Sequence, residues 1–205
     1  MRVLLDAASV KRGLIRVAGQ IAERHHGSSG LVLVGIRRGG VPVAERLRAC
    51  LEQIEPGEVP MGTVDITLYR DDAASALPNP QIGPSQIPVS LNGRRVLLVD
   101  DVVGTGRTVR AALDALLDYG RPRSVELMAV VDRGGRELPV QPDYCIQVVR
   151  VGPEERIDVM QEGSDLIAVV RTFDLQTNLP SGQQGSPVPS AALPGAQALP
   201  RKESP

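Results

Sequence analysis

Two adjacent carboxylates, Asp100 and Asp101, close the aliphatic run Val96, Leu97, Leu98 and Val99. Val102 and Val103 then lead into Gly104, Thr105, Gly106, Arg107 and Thr108. These residue types at this spacing suit a phosphorylated sugar. Glycines permit unusual backbone angles and close approach of a ligand. Successive N–H groups of such a loop can converge on one anion, and a helix that starts there adds positive potential. Thr105 and Thr108 add hydroxyl donors, and the two acids before the loop suit the hydroxyls of an attached ribose. A nucleotide-binding loop of the Gly-Lys-Ser/Thr type is absent, as is a GxGxxG fingerprint. Paired acids also end strands in receiver domains, but without a Gly-Thr-Gly loop directly after them. A purely structural strand–turn–helix would not require two acids, two glycines and two threonines together.

Further residues could complete such a site. Arg37, Arg38, Gly39 and Gly40 follow the aliphatic run LVLVGI, and two arginines beside two glycines can set charge and bare N–H groups against a diphosphate. Arg133 and Arg136, in DRGGRE, could face the same diphosphate or pair with Glu137. Tyr144, followed by Cys145, is one of only four aromatic side chains, so a place beside a flat ligand competes with a place in the core or an interface. Asp71 and Asp72 read as solvated loop acids. His25 and His26, before a Gly-Ser-Ser turn, read as a surface pair.

Elements of alternating type must hold these residues. Leu31–Ile36, Thr63–Tyr69, Arg95–Val102, Val125–Asp132, Tyr144–Val151 and Leu166–Val170 read as strands, several apolar on both faces as in a covered parallel sheet. Residues 8–25, 41–54 and 107–119 have helical spacing; Val10, Leu14, Val17 and Ile21 line one face of the first. Gly120 and Pro122 stop the third. Strands alternating with helices predict an α/β fold with a mostly parallel sheet flanked by helices, and ligands in such sheets bind beyond the carboxyl ends of the strands. Residues 71–93 are rich in Pro, Asn and Ser and read as a long binding loop or lid. Residues 177–205 are rich in Pro, Gly, Ser and Gln and read as a disordered tail behind a single domain of residues 1–176.

The bulk composition excludes several classes. With 42% apolar residues in a chain of 205, one domain with an aliphatic core is expected. A net charge of −1 lacks the excess of a general nucleic-acid binder, though a local basic face is open. Two distant cysteines suggest neither a disulfide framework nor a zinc site. No apolar run is long enough for a signal peptide or a membrane helix, so a cytoplasmic location is expected.

The pattern hydrophobic–Asp-Asp–x-x-x–Thr-Gly-x-Thr resembles the 5-phosphoribosyl-1-pyrophosphate (PRPP) motif of type I phosphoribosyltransferases. The flanking segments Asp65–Asp72 (DITLYRDD), Thr108–Pro122 (TVRAALDALLDYGRP) and Val131–Tyr144 (VDRGGRELPVQPDY) resemble the PyrR family of bifunctional pyrimidine operon regulators and uracil phosphoribosyltransferases. The likeness runs from about Leu5 to Arg171. It implies the type I phosphoribosyltransferase fold with a small hood, and the reaction of uracil with PRPP to give UMP and pyrophosphate. Mg²⁺ would be carried by PRPP rather than by the protein. It further implies that Asp100 and Asp101 hold the ribose hydroxyls and that Val96–Thr108 as a whole forms the PRPP site. Arg38, Tyr69, Arg70 and Asp101 would be catalytic, with Tyr69 and Arg70 opening a flexible loop; Tyr144 and Cys145 would lie at the base. The family also binds a messenger-RNA leader under UMP or UTP control, which points to Lys11, Arg12 and Arg16 on the first helix, and it forms homodimers or larger assemblies. Three departures stand out. Arg38-Gly39-Gly40 replaces the family's Thr-Arg-Gly, Gly104 stands where the family's PRPP loop often has an aromatic, and Ile15, Gly19, Gln141 and Gln147 thin the basic face. The alternatives are a nucleotide-sensing RNA attenuator without catalysis, and a type I transferase for another base.

Overall fold

The computed structural model describes residues 1–67, 69 and 85–173. Five parallel strands form the central sheet: β2 (Leu31–Ile36), β3 (Met61–Val64), β4 (Arg95–Val103), β5 (Ser124–Asp132) and β6 (Tyr144–Val148). Their spatial order is β3-β2-β4-β5-β6, with β4 at the centre. The helices α1 (Ala7–His25), α2 (Gly40–Ile54) and α3 (Arg107–Leu117) cover it.

Strand alternation assigns each side chain to a face. Leu31, Leu33, Leu97, Val99, Met128 and Val130 point to one side, where Leu14, Val17 and Ile21 of α1 and Val43, Leu47 and Leu51 of α2 close over them. Val32, Val34, Val96, Leu98, Leu127 and Ala129 point to the other, against Val109, Ala112 and Leu116 of α3. Both faces of β2 and the middle of β4 are therefore buried, which is why those strands read as unbroken aliphatic runs. Gly13 lets α1 lie close against β6, since a Cβ there would fall within 2.4 Å of Ile146. Asp6 starts α1 by accepting a hydrogen bond from the Ser9 N–H at 2.7 Å.

A second, smaller layer is an antiparallel sheet of β1 (Arg2–Leu5), β8 (Asp165–Thr172) and β7 (Glu155–Glu162), in the order β1-β8-β7. It packs Ile157, Leu166, Ala168 and Val170 into the α1–α2 side of the core. The small hood expected beside the main sheet corresponds to this layer. Neither β1 nor β7 is apparent in the sequence. β7 carries Ile157 between Arg156 and Asp158 and Val159 just after Asp158, and its pairing with β8 makes it a strand.

Two strands are shorter than expected. β3 stops at Val64 because the Asp65 carboxylate accepts from the Thr67 N–H at 2.9 Å and from its hydroxyl at 2.6 Å, which turns the chain. β6 stops at Val148. Of the expected loop 71–93, residues 85–93 are built into the domain: Gln86 bridges Thr63 through two backbone bonds of 2.7 and 2.8 Å, and Leu91 is fully buried. Residues 71–84 and the expected tail 177–205 lie outside the described residues.

Candidate active site

β4 ends at Val103, and the chain passes through Gly104, Thr105 and Gly106 into α3. Gly106 has φ +92°, a conformation that favours glycine, and its carbonyl accepts the first helical bond, from the Arg110 N–H at 2.9 Å. The loop's other carbonyls are drawn to the segment after β5. The Val103 carbonyl accepts from the Arg133 N–H at 3.0 Å, and the Thr105 carbonyl from Glu137 and Leu138 at 2.9 and 3.1 Å. The Gly104 carbonyl accepts from Arg136 Nη1 at 2.8 Å. With three consecutive carbonyls held outward, the N–H groups of Gly104, Thr105 and Gly106 find no acceptor among the described residues. They border a cavity of about 120 Å³ lined by Asp100, Val102, Val103, Gly104, Thr105, Gly106, Thr108, Val109 and Arg133. Unpaired donors around a small concavity at a helix N-terminus form an anion site.

Asp100 is only 4% exposed. Burial, reinforced by the neighbouring Asp101 carboxylate, pushes its pKa well above the usual carboxylate range. Asp101 is half-buried, and its Oδ1 accepts from the Val102 N–H at 2.9 Å. The Arg37–Gly40 loop comes down on this pair from the end of β2. A Cβ on Gly39 would lie 2.2 Å from Asp101 Oδ2, and one on Gly40 would lie 2.1 Å from the Val99 carbonyl oxygen. No residue with a side chain fits at either position without displacement. The peptide between Arg37 and Arg38 is cis. Arg38 is exposed; Arg37 is half-buried, with a buried Nε that has no hydrogen-bond partner among the described residues. The two segments picked out by residue type, far apart in sequence, thus meet at the carboxyl end of the sheet.

Other expected site residues stand elsewhere. Arg136 is not aimed at a diphosphate: Nη1 donates to the Gly104 carbonyl, Nε to the Val140 carbonyl and Nη2 to Asp132, each at 2.8 Å. Nor does it pair with Glu137, whose partner is Arg107 Nε at 2.7 Å. Asp132, which the sequence reading passed over, also accepts from the Gly134 N–H at 2.9 Å and so fixes this turn. An acid and an arginine four residues apart around two glycines is the sequence signal for it. Arg70 lies outside the described residues. The Tyr69 hydroxyl bonds Asp118 just past the C-terminal end of α3, about 16 Å along the helix from the loop.

Tyr144 opens β6 and is 5% exposed. Its hydroxyl donates to Glu126 Oε2 at 3.0 Å, and the same oxygen is 2.9 Å from His25 Nε2. Tyr144 is a core residue level with Val99 in the middle of β4, and its hydroxyl turns toward Glu126 and the amino end of the sheet, away from the anion site. Cys145 beside it places its Sγ 3.1 Å from the Gln147 carbonyl. His25 is likewise not a surface residue, with a side chain 12% exposed. On α1, Lys11 is exposed, Arg12 donates to Ser9 Oγ at 3.0 Å, and Arg16 reaches the Cys145 and Ile146 carbonyls of β6 at 3.4 and 3.2 Å. Arg16 therefore serves the open edge of the sheet. Among the described residues no group of three or more His, Cys, Asp or Glu is placed to hold a metal, and no helix is long and apolar enough to cross a membrane.

A family model described as the phosphoribosyl transferase domain matches residues 3–155. The chain is 51% identical over 163 residues to the bifunctional protein PyrR of Geobacter sulfurreducens, covering 80% of this chain and 92% of that one. It is 46% identical over 174 residues to the bifunctional protein PyrR of Pelotomaculum thermopropionicum, covering 83% and 96%. Among solved structures, a hypoxanthine phosphoribosyltransferase of Trypanosoma cruzi superposes with a TM-score of 0.59 at 19% identity, over 82% of this chain and 95% of that one, a likeness of fold. With the Asp-Asp and Gly-Thr-Gly elements assembled at the carboxyl end of a parallel sheet, the chain belongs to the PyrR family of phosphoribosyl transferase domains.

Proposed function

We propose that this protein transfers the 5-phosphoribosyl group of PRPP to uracil, giving UMP and pyrophosphate. The observation that carries this reading is the loop at the end of β4. Its carbonyls are held outward, its N–H groups are left unpaired among the described residues around a small cavity, and the two acids precede it by two valines. The 5′-phosphate sits on Gly104–Thr108, and the ribose hydroxyls face Asp101, with Asp100 buried behind it. Arg37 and Arg38 serve the leaving pyrophosphate from the opposite side, held close by Gly39 and Gly40.

The chemistry follows from the charges. As the bond to pyrophosphate lengthens, negative charge grows on the leaving group and positive charge on the ribose ring. Arginine guanidinium groups stabilise the first, and the carboxylates beneath the ring favour the second. Uracil lies beyond the carboxyl ends of β5 and β6, away from Tyr144. No side chain at the site is required as a general base; orientation and fixed charge supply the rate. The Asp101 carboxylate offers hard oxygens toward a Mg²⁺ ion that travels on the substrate. When bound, that ion neutralises the diphosphate. A soluble, cytoplasmic enzyme acting as a homodimer or larger assembly is the setting we assign.

The word bifunctional in the relatives' names favours a second activity, nucleotide-controlled binding of a messenger-RNA leader, with Lys11, Arg12 and Arg16 as exposed cations on α1. Turnover of labelled uracil with PRPP and Mg²⁺, with hypoxanthine, adenine and orotate in parallel, tests the reading. UMP formation is expected. Nucleotide-dependent RNA retention without turnover would make the protein a sensor instead, and turnover of a purine would overturn both. Asp101→Asn should weaken PRPP binding by about 10- to 100-fold, the scale of a charge-assisted hydrogen bond. Unchanged affinity, measured by calorimetry, would remove Asp101 from the ribose.

A further inference from the structure

We infer that Arg133 is a ligand of the 5′-phosphate, not of the pyrophosphate, and that glycine at position 104 is what admits its guanidinium to the cradle. The inference rests on the reading of the β4–α3 loop as the ribose-5-phosphate site. Arg133 lines the same cavity as Gly104, Thr105, Gly106 and Thr108. Its backbone is pinned there by the N–H bond to the Val103 carbonyl at 3.0 Å. Its guanidinium is the uncommitted one of three. Arg107 pairs with Glu137, and Arg136 is used up on Gly104, Val140 and Asp132. Arg133 has no side-chain hydrogen bond or ion pair among the described residues.

Gly104 explains how the cation comes so close. Its φ lies outside the positive range that Gly106 adopts, so the backbone does not demand glycine there. Space does. A Cβ at 104 would lie 2.5 Å from Arg133 Nε, 2.7 Å from Nη2 and 2.8 Å from Cζ. The guanidinium rests where the side chain of residue 104 would begin, flat against the loop whose N–H groups are unpaired. A planar donor in that place adds paired N–H groups and a full positive charge to the backbone cradle, the combination that phosphate oxygens bind most strongly.

Three ligands separate the roles: ribose 5-phosphate has only the 5′-phosphate, Mg²⁺-pyrophosphate only the leaving group, and PRPP both. In calorimetric titrations, Arg133→Met should weaken ribose 5-phosphate and PRPP by about 10- to 100-fold each and leave pyrophosphate unchanged. Arg133→Lys should recover part of the loss, because it restores the charge but not the fork. Gly104→Ala should reproduce most of the same loss by displacing the flexible guanidinium while the fold is kept, and the double variant should be no worse than Arg133→Met alone. Thermal unfolding of each variant separates a folding defect from a binding one. Unchanged ribose 5-phosphate affinity with weakened pyrophosphate would assign Arg133 to the leaving group and overturn the inference. Full additivity of the two substitutions would overturn the part given to Gly104. Failure of the wild-type protein to bind ribose 5-phosphate at all would instead overturn the reading of the loop.

Discussion

At the carboxyl end of the central sheet, Gly104, Thr105 and Gly106 carry N–H groups without acceptors among the described residues, and the Arg133 guanidinium stands without a partner among them. At the amino end, Tyr144, Glu126, His25 and Arg24 satisfy one another. The Tyr144 hydroxyl and His25 Nε2 share Glu126 Oε2 at 3.0 and 2.9 Å, and Arg24 lies 3.8 Å from Oε1. Both ends hold titratable and aromatic or cationic groups of the kinds that do chemistry. The difference is in what remains unpaired. A buried polar group costs free energy unless it finds a partner. Where the fold supplies the partner, the group contributes to stability; where the fold turns donors toward a cavity and withholds the acceptor, a ligand must supply it. Changing residues at one end should therefore alter binding, and at the other end stability alone.

The sharpest way to break this contrast is Gly40→Ala. The new Cβ would lie 2.1 Å from the Val99 carbonyl oxygen and 3.1 Å from Asp100 Cα, both backbone atoms of the strand that carries the acids. The strand must shift, and with it Asp101 and the loop. Overpacking of this kind costs about 1–3 kcal/mol, or roughly 3–10 °C in Tm for a chain of this size. Turnover should fall by on the order of 100-fold, because a displacement of about an ångström is enough to spoil a positioned site. Gly19→Ala is the control. It has nothing within 4 Å in α1, so it should leave activity unchanged and raise stability by about 0.5–1 kcal/mol. Thermal unfolding and steady-state turnover decide both. A Gly40→Ala protein with wild-type turnover would show that the two loops are not rigidly joined.

The parts legible in the sequence were those whose cause is local. β4, its two acids, the glycine loop and the start of α3 follow from residue type within one short stretch. The lengths of α1 and α2 follow from their apolar periodicity. What was illegible depended on which end of a strand, or which neighbour, a residue meets. Tyr144 looked like a base-stacking aromatic because it sits in a distinctive motif, yet it opens β6, and ligands bind where strands close. Arg133 and Arg136 are three residues apart and chemically identical. Two consecutive positive-φ glycines, Gly134 and Gly135 at +69° and +74°, turn the chain between them, so that one guanidinium clamps the loop and the other faces its cavity. β1 forms only because β8 pairs with it from far along the chain, and β7 only because β8 folds back on it across the Gly163-Ser164 turn. The Arg37–Gly40 loop was recognised by composition, but its closeness to Asp101 required the β2–β4 pairing.

The buried acid sharpens the comparison through pH. Burial and the Asp101 charge raise the Asp100 pKa, so the folded chain holds that proton more tightly than the unfolded chain does. The stability linked to it is fully present below the ordinary carboxylate range and is lost as pH rises through the raised value. Asparagine cannot ionise. Asp100→Asn should therefore be more stable than the wild type near pH 8 by a few degrees in Tm, and the difference should vanish as pH falls toward 4. PRPP binding should weaken in the same variant. Stability gained where function is lost marks a residue kept for its ligand. Equal pH slopes for the two proteins would show that Asp100 gives up its proton as easily folded as unfolded.

The smallest effect belongs to the other end. Tyr144→Phe removes one hydroxyl and leaves Glu126 paired with His25 and Arg24. The cost should be about 0.5–1.5 kcal/mol, that of a single hydrogen bond. Because burial and the bond to Glu126 push the Tyr144 hydroxyl from 10.0 up to about 12, it stays protonated throughout any working range. Its removal should leave the pH–rate profile and the KM for uracil as they were. The stability gap between the two proteins should close only as pH rises from about 10 toward 12, where the wild-type hydroxyl begins to ionise. A raised KM for uracil with unchanged Tm would reverse the assignment: it would put a base-binding aromatic at the amino end of the sheet and end the division between the two edges.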